Sequence, residues 1–256
     1  MPGFGTGKCV VLMFDGAMSH ANVYINGQKV GYWPYGYNSF HFDITKYLKP
    51  GEKNTLAVRL ENLPASSRWY PGAGLYRNVH LIITEDAYIP VWGTYITTPS
   101  VNEKFAKVNV RTKVVLPEGA DPAKYSVETS VWNPNKQKLT AVRTSLAQMK
   151  YNNNQAEQEF VIQAPSLWSP EMPALYSAET RLYEGDKLKD IYTTPFGIRS
   201  IEIIPDKGFF LNGKRTVFKG VCNHHDLGPL GAAVNDAAIR RQIRILKDMG
   251  CNAIRT

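Results

Sequence analysis

The segment VFKGVCNHHDLGPLGAAVNDAAIRRQIRILKDMGCNAIRT, residues 217–256, decides the fold. Val217-Phe218-Lys219-Gly220-Val221 is a short apolar run of strand length. Asn235 is an N-cap residue, the stretch after it sets Ile239, Ile243 and Leu246 on one helical face, and Gly250 stands as the stop. Asn252-Ala253-Ile254-Arg255 reads as a strand again. Strand, helix and strand make one βαβ unit, which implies a parallel sheet. One unit cannot bury its own faces, and a closed (β/α)8 barrel takes about 250 residues. Residues 198–256 therefore read as the start of such a barrel, with the hairpin signature Phe209-Phe210-Leu211-Asn212-Gly213-Lys214 preceding the βαβ unit.

Upstream the periodicity is two, not 3.6. Val10, Leu12 and Phe14 alternate, as do Phe40, Phe42 and Ile44, then Leu56, Val58 and Leu60, then Val79, Leu81 and Ile83. Val23-Tyr24-Ile25 and Gln28-Lys29-Val30 flank Asn26-Gly27, a pair that tolerates the two positive φ angles of a type I′ turn. With turn clusters at Lys49-Pro50-Gly51 and Pro71-Gly72-Ala73-Gly74, residues 1–88 read as a sandwich or jelly roll. A second set of alternations starts at Val108 (Val110, Thr112, Val114) and continues through Tyr125–Val131 and Tyr176–Leu182, with a polar turn at Asn152-Asn153-Asn154-Gln155. Residues 89–197 suit an immunoglobulin-like sandwich, although the Cys…Trp…Cys pattern of antibody domains is absent. The fold expected is mostly β: a jelly-roll sandwich, an immunoglobulin-like β-sandwich, then the first βαβ unit of a (β/α)8 barrel.

Composition excludes several classes. The chain has 256 residues, 43% hydrophobic and 20% charged, with a net charge of +8. That is a chain with a core, not a disordered one. It holds no run of 18 apolar residues and so no expected transmembrane helix. Its N-terminus lacks the basic and apolar regions of a signal peptide, which leaves localisation open, periplasmic and extracellular sites included. Cys9, Cys222 and Cys251 form no disulfide framework and read as reduced, mostly buried thiols. Residues 198–256 carry 10 basic and 5 acidic side chains, +5 of the +8. Arg240, Arg241, Arg244 and Lys247 share one helical stretch without interleaved aromatics, which argues against nucleic acid.

His224, His225 and Asp226 follow the apolar strand, and Arg255 closes the next one. The carboxyl ends of barrel strands carry the active site, so these groups fall at one rim. There an imidazole and a guanidinium could bind hydroxyls and orient a carboxylate; the other reading is a polar loop and a strand-end charge. Adjacent residues of an extended strand point to opposite sides, so the three do not converge on a metal. Arg68-Trp69-Tyr70-Pro71-Gly72 is dense in groups that stack on sugars, and equally suits a packed loop. Tyr32-Trp33-Pro34-Tyr35-Gly36-Tyr37 reads as a structural loop, with sugar stacking as the alternative. There is no Ser-His-Asp set, no phosphate-cradling loop before a helix and no evident pair of catalytic carboxylates.

These residues carry a resemblance. FDGAMSHANVYINGQKVG (14–31), GYNSFHFDITKYLKPGEKNTLAVRLEN (36–62) and RWYPGAGLYRNVHL (68–81) are similar to the sugar-binding jelly-roll domain of glycoside hydrolase family 2. FFLNGKRTVFKGVCNHHDLGPLG (209–231) and IRRQIRILKDMGCNAIRT (239–256) resemble the start of that family's catalytic barrel, β-galactosidase-like members fitting best. The resemblance implies a retaining hydrolase of terminal β-glycosides, most of all β-galactosides, using two carboxylates about 5–5.5 Å apart. It implies that His224 contacts sugar hydroxyls, that Arg255 holds the nucleophilic carboxylate, and that Arg68 and Trp69 reach over the site. Asp226 joins them as a supporting residue. Ser67 stands where some β-galactosidases carry a substrate-contacting aspartate, and no histidine follows the N-A-I-R-T segment. Both catalytic glutamates are expected beyond Thr256 and the first jelly-roll strands before Gly7, which makes the chain an inactive fragment truncated at both ends. The resemblance implies a carbohydrate substrate, no cofactor, no metal, no nucleic-acid or membrane partner, and leaves homo-oligomers open for the whole protein. A non-catalytic carbohydrate-binding module and a structural β-sandwich protein are the alternatives.

Overall fold

The computed structural model describes residues 7–65, 72–148, 155–224 and 226–256. They form two compact bodies, one of residues 1–84 with 218–256 and the other of residues 85–217. The first body begins with six strands: β1 (Lys8–Phe14), β2 (Ala21–Ile25), β3 (Gln28–Trp33), β4 (Phe40–Asp43), β5 (Leu56–Arg59) and β6 (Val79–Glu85). They make two three-stranded sheets, β4-β1-β6 and β3-β2-β5. The β2–β3 turn has Asn26 at φ +51° and Gly27 at φ +80°, the left-handed pair the sequence predicts. Val10, Leu12 and Phe14 of β1 meet Val23 and Ile25 of β2 in one core with Phe40 and Ile44. Phe14 is fully buried and stacks on Phe40 at 4.9 Å, a burial that stabilises by about 1.5–3 kcal/mol.

The second body holds β7 (Thr94–Val101), β8 (Phe105–Lys113), β9 (Tyr125–Trp132), β10 (Lys138–Ser145), β11 (Gln155–Gln163), β12 (Tyr176–Glu184) and β13 (Lys187–Phe196). A sheet ordered β11-β8-β7 faces one ordered β10-β9-β12-β13, an immunoglobulin-like sandwich. The alternation works as read: Ala106, Val108, Val110 and Thr112 point inward from β8, and Tyr176, Ala178, Thr180 and Leu182 from β12. The core has two apolar clusters. Buried polar side chains also enter it. Thr129 and Thr180 pair through their hydroxyls at 3.2 Å. The Gln158 amide donates to the carbonyls of Val127 and Val142 and to Thr144 Oγ1. The polar turn expected at Asn152-Asn153-Asn154 lies outside the described residues. A third small sheet, β14 (Ile201–Ile204), β15 (Gly208–Leu211) and β16 (Lys214–Arg215), completes this body, with Asn212 at φ +52° and Gly213 at φ +73° in the second Asn-Gly turn.

The remaining elements return to the first body: β17 (Gly220–Cys222), α1 (Asp236–Asp248) and β18 (Ala253–Arg255). β17 and β18 are parallel, so the βαβ unit is present. β17 is shorter than the apolar run that announces it: Val217 and Phe218 stay exposed, outside the ladder. All three cysteines are free, but Cys222 is exposed rather than buried, because the two-stranded pair leaves its faces uncovered. Among the described residues no helix is long and apolar enough to cross a membrane.

Candidate functional site

Two parallel strands place the candidate residues. Gly220, Val221 and Cys222 pair with Ala253, Ile254 and Arg255. Their entry is clamped by Asn252, whose Oδ1 accepts from Lys219 N at 2.8 Å while its own N–H donates to Lys219 O at 2.9 Å. Beyond their carboxyl ends, Asn223 N donates to Arg255 O at 2.8 Å. His224 and Arg255 thus stand at the same end of the pair, as the sequence predicts for a barrel mouth. Between the strands, Asn235 caps α1 by accepting from Ala238 N, and the helix ends at Met249, with Gly250 following at φ +88°.

The three described candidates have different surroundings. Asp226 is half-buried, and its Oδ1 accepts the Gly228 N–H at 2.8 Å, so its carboxylate shapes its own loop. Arg255 is exposed. His224, also exposed, lines a cleft of about 470 Å³ together with Asn223. Tyr35, Tyr37, Tyr76 and Arg77 line the same cleft from the sandwich. Neither Asp226 nor Arg255 lines it. The sandwich side is firmly held. Tyr76 Oη donates to Gly36 O at 2.7 Å. The Arg77 guanidinium donates to Asp15 O and Tyr37 O at 3.3 Å and lies 5.0 Å over the Tyr76 ring. Burial pushes the Tyr76 phenol above its usual range against the opposing pull of the Arg77 charge.

Arg68 and Trp69, with Ser67 and Tyr70, lie outside the described residues, and so does His225. The chain that follows them is well fixed. Gly72, at φ +70°, passes so close to Ala232 that an added Cβ would stand 2.5 Å from its Cβ. Gly74 and Met18 exchange backbone hydrogen bonds, and Val234 N donates to Tyr76 O at 3.3 Å. The Arg68–Trp69 segment is therefore followed by chain packed against the loop between β17 and α1. Among the described residues no group of three His, Cys, Asp or Glu side chains could hold a metal ion.

Sequence reasoning did not single out Tyr76, Arg77 or Asn223, and it favoured a structural role for Tyr35 and Tyr37. Asn223 is the chain neighbour of His224, whereas the tyrosines and Arg77 meet it only through tertiary packing, across roughly 150 to 190 residues of chain. The one local signal was the density of aromatic residues in Tyr32–Tyr37.

The order of parts, two β-sandwiches and the opening of a (β/α)8 barrel, is that of a multidomain glycoside hydrolase. The chain belongs to glycosyl hydrolases family 2: the model of that name matches residues 88–199, its sugar-binding domain residues 5–85 and its TIM barrel domain residues 202–256. The chain is 43% identical over 250 residues to a protein of Bacteroides ovatus named β-galactosidase BoGH2A, covering 97% of this chain and 29% of that protein. It is 35% identical over 262 residues to a β-glucuronidase of Bacteroides fragilis, covering 97% of this chain and 37% of that protein. Among solved structures, a family 2 member from Bacteroides cellulosilyticus superposes with a TM-score of 0.90 at 36% identity, over 97% of this chain and 34% of that one. A Bacteroides uniformis β-glucuronidase covalently bound to cyclophellitol-6-carboxylate aziridine gives 0.85 at 30% identity, over 98% and 31%. The chain thus spans about a third of the length of the relatives it matches.

Proposed function

We propose that this chain is the amino-terminal part of a retaining glycoside hydrolase that cleaves terminal β-glycosides, with β-galactosides as the preferred class. The observation that carries the reading is the β17–β18 pair, whose carboxyl ends bring His224 and Arg255 to the same end, with His224 lining a cleft walled by tyrosines. Residues 1–88 serve as the sugar-binding sandwich, 89–197 as the immunoglobulin-like spacer and 198–256 as the start of the barrel. His224 binds sugar hydroxyls and Arg255 orients the nucleophilic carboxylate. Asp226 holds the loop that presents His224, and Arg68 and Trp69 support substrate binding. Retention is supported by the relative covalently bound to an aziridine, since a retaining enzyme passes through a covalent glycosyl intermediate. The galactoside preference is supported by the 43% identity to a protein named β-galactosidase. Two carboxylates are needed at the scissile bond, and here Asp226 is committed to Gly228.

The test is overnight incubation with nitrophenyl β-galactoside, β-glucuronide and β-mannoside. A whole enzyme containing this chain should cleave the galactoside fastest, and residues 1–256 alone should release nothing. Release that scales with the concentration of residues 1–256 and disappears in an Asp226→Asn variant would overturn the assignment of the catalytic carboxylates. A whole enzyme that cleaves none of the three would overturn the reading itself.

A further inference from the structure

The cleft beside His224 has a wall that the proposed chemistry does not use. Tyr35 is 56% exposed although it sits in a folded loop, and its ring lies 5.5 Å from that of Tyr37 with the planes inclined by 60°. The loop carrying them is fixed on every side. Tyr76 Oη bonds Gly36 O, Arg77 bonds Tyr37 O, and at Gly36 an added Cβ would stand 2.4 Å from Met18 Sδ. Two aromatic rings are thus held ready at a concave surface, and a preorganised site loses little freedom on binding. The cleft's volume of about 470 Å³ falls within the range of about 300–1,000 Å³ typical of small-molecule sites. Beside a sugar ring at His224 it leaves room for a second ring.

Resting on the glycoside hydrolase reading, we infer that Tyr35 and Tyr37 form the subsite for the leaving-group side of the β-glycosidic bond. The subsite takes a ring with an apolar face, a neutral pyranose or an aryl group, by stacking. Its electrostatics suit a neutral ring. Among the described residues lining the cleft none has a carboxylate side chain, and the Arg77 guanidinium is committed to two backbone carbonyls and the Tyr76 ring. Amide groups of Asn223 and Gln242, 3.5 Å apart in the same wall, are within the cleft to meet hydroxyls.

The experiment is calorimetric or ligand-observed NMR titration of residues 1–256 with matched glycosides: 4-nitrophenyl and methyl β-galactoside, and the same pair of β-glucuronides. For whichever sugar binds, the aryl glycoside should bind more tightly than the methyl one. Tyr35→Ala should weaken the aryl glycoside about three- to tenfold, the span of an aromatic contact, and leave the methyl glycoside unchanged. Tyr35→Phe should retain the aryl preference. Because Tyr35 is exposed, these variants keep the fold, which circular dichroism checks. An aryl preference that is absent, or that survives in both Tyr35→Ala and Tyr37→Ala, overturns the subsite while leaving the hydrolase reading intact. Failure of all four glycosides to bind also overturns it, and the hydrolase reading is then judged by whole-enzyme turnover alone.

Discussion

Gly220 has no room for a side chain: an added Cβ would stand 2.4 Å from the carbonyl oxygen of Ala253, its partner across the parallel pair. Backbone atoms cannot rotate away, so Gly220→Ala should part β17 from β18. In hydrogen exchange, the Asn223 amide, bonded to Arg255 O, should then exchange much faster while Val23 in the distant sandwich core is unchanged. Unaltered Asn223 protection would show that the strands adapt. Asp86 offers a second test. The hydrogen bond from Lys189, 2.7 Å away, holds its carboxyl below the usual carboxylate range, and the same bond raises the Lys189 ammonium, whose side chain is only 7% exposed. The depressed pKa of Asp86 gives stability that is present above its unfolded value, about 3.9, and lost as pH falls through the folded value. The raised pKa of Lys189 gives stability present below about 10.4 and lost as pH rises through its folded value. Asp86 is partly exposed, so the contribution is modest. Asp86→Asn should lower Tm by about 2–4 °C at neutral pH, and the gap should close near pH 2. A gap that persists in acid would mean that the pair is not its source. The Asn-Gly turns were legible at this scale because two successive positive φ angles are a demand few residue pairs meet. The Asp86–Lys189 pair was not, since nothing local joins residues a hundred positions apart.

Among elements, α1 was the most readable and is the least supported. Asn235 caps it as the sequence predicts, yet none of its residues is buried, and Ile243 and Ile245 stay exposed. Helices of this length gain most of their stability from packing an apolar face. Limited trypsin digestion should therefore cut first among Arg240, Arg241, Arg244 and Lys247, leaving the two sandwiches intact. Early cleavage within residues 90–190 with the tail surviving would contradict this. The strands show what periodicity can and cannot tell. In β8 and β12 alternation maps directly onto burial, because each has a neighbour on both sides and a facing sheet. In β6 the same alternation of Val79, Leu81 and Ile83 ends exposed. β6 lies at the edge of its sheet, and whether a facing layer covers an edge strand is a property of the fold, not of the strand.

At the scale of the whole molecule, the two sandwiches and the βαβ unit followed from the sequence, because each module repeats its own pattern over many residues. The candidate site was legible only in placement. That His224 and Arg255 fall at one end of the strand pair could be read because strand ends in a parallel sheet share one rim, whereas the wall of Tyr35, Tyr37, Tyr76 and Arg77 forms only when the sandwich meets that rim. The central claim is that this rim handles the sugar and its transition state. Its most direct measurement is steady-state hydrolysis of nitrophenyl β-galactoside by the whole enzyme carrying His224→Ala or Arg255→Ala. The account predicts that His224→Ala costs about 10²-fold or more in kcat/KM, as loss of transition-state hydrogen bonding does. It predicts that Arg255→Ala lowers kcat more than it raises KM, because it orients a catalytic group rather than holding the ground state. Wild-type kinetics in both variants would contradict the account and leave His224 as loop polarity and Arg255 as a strand-end charge.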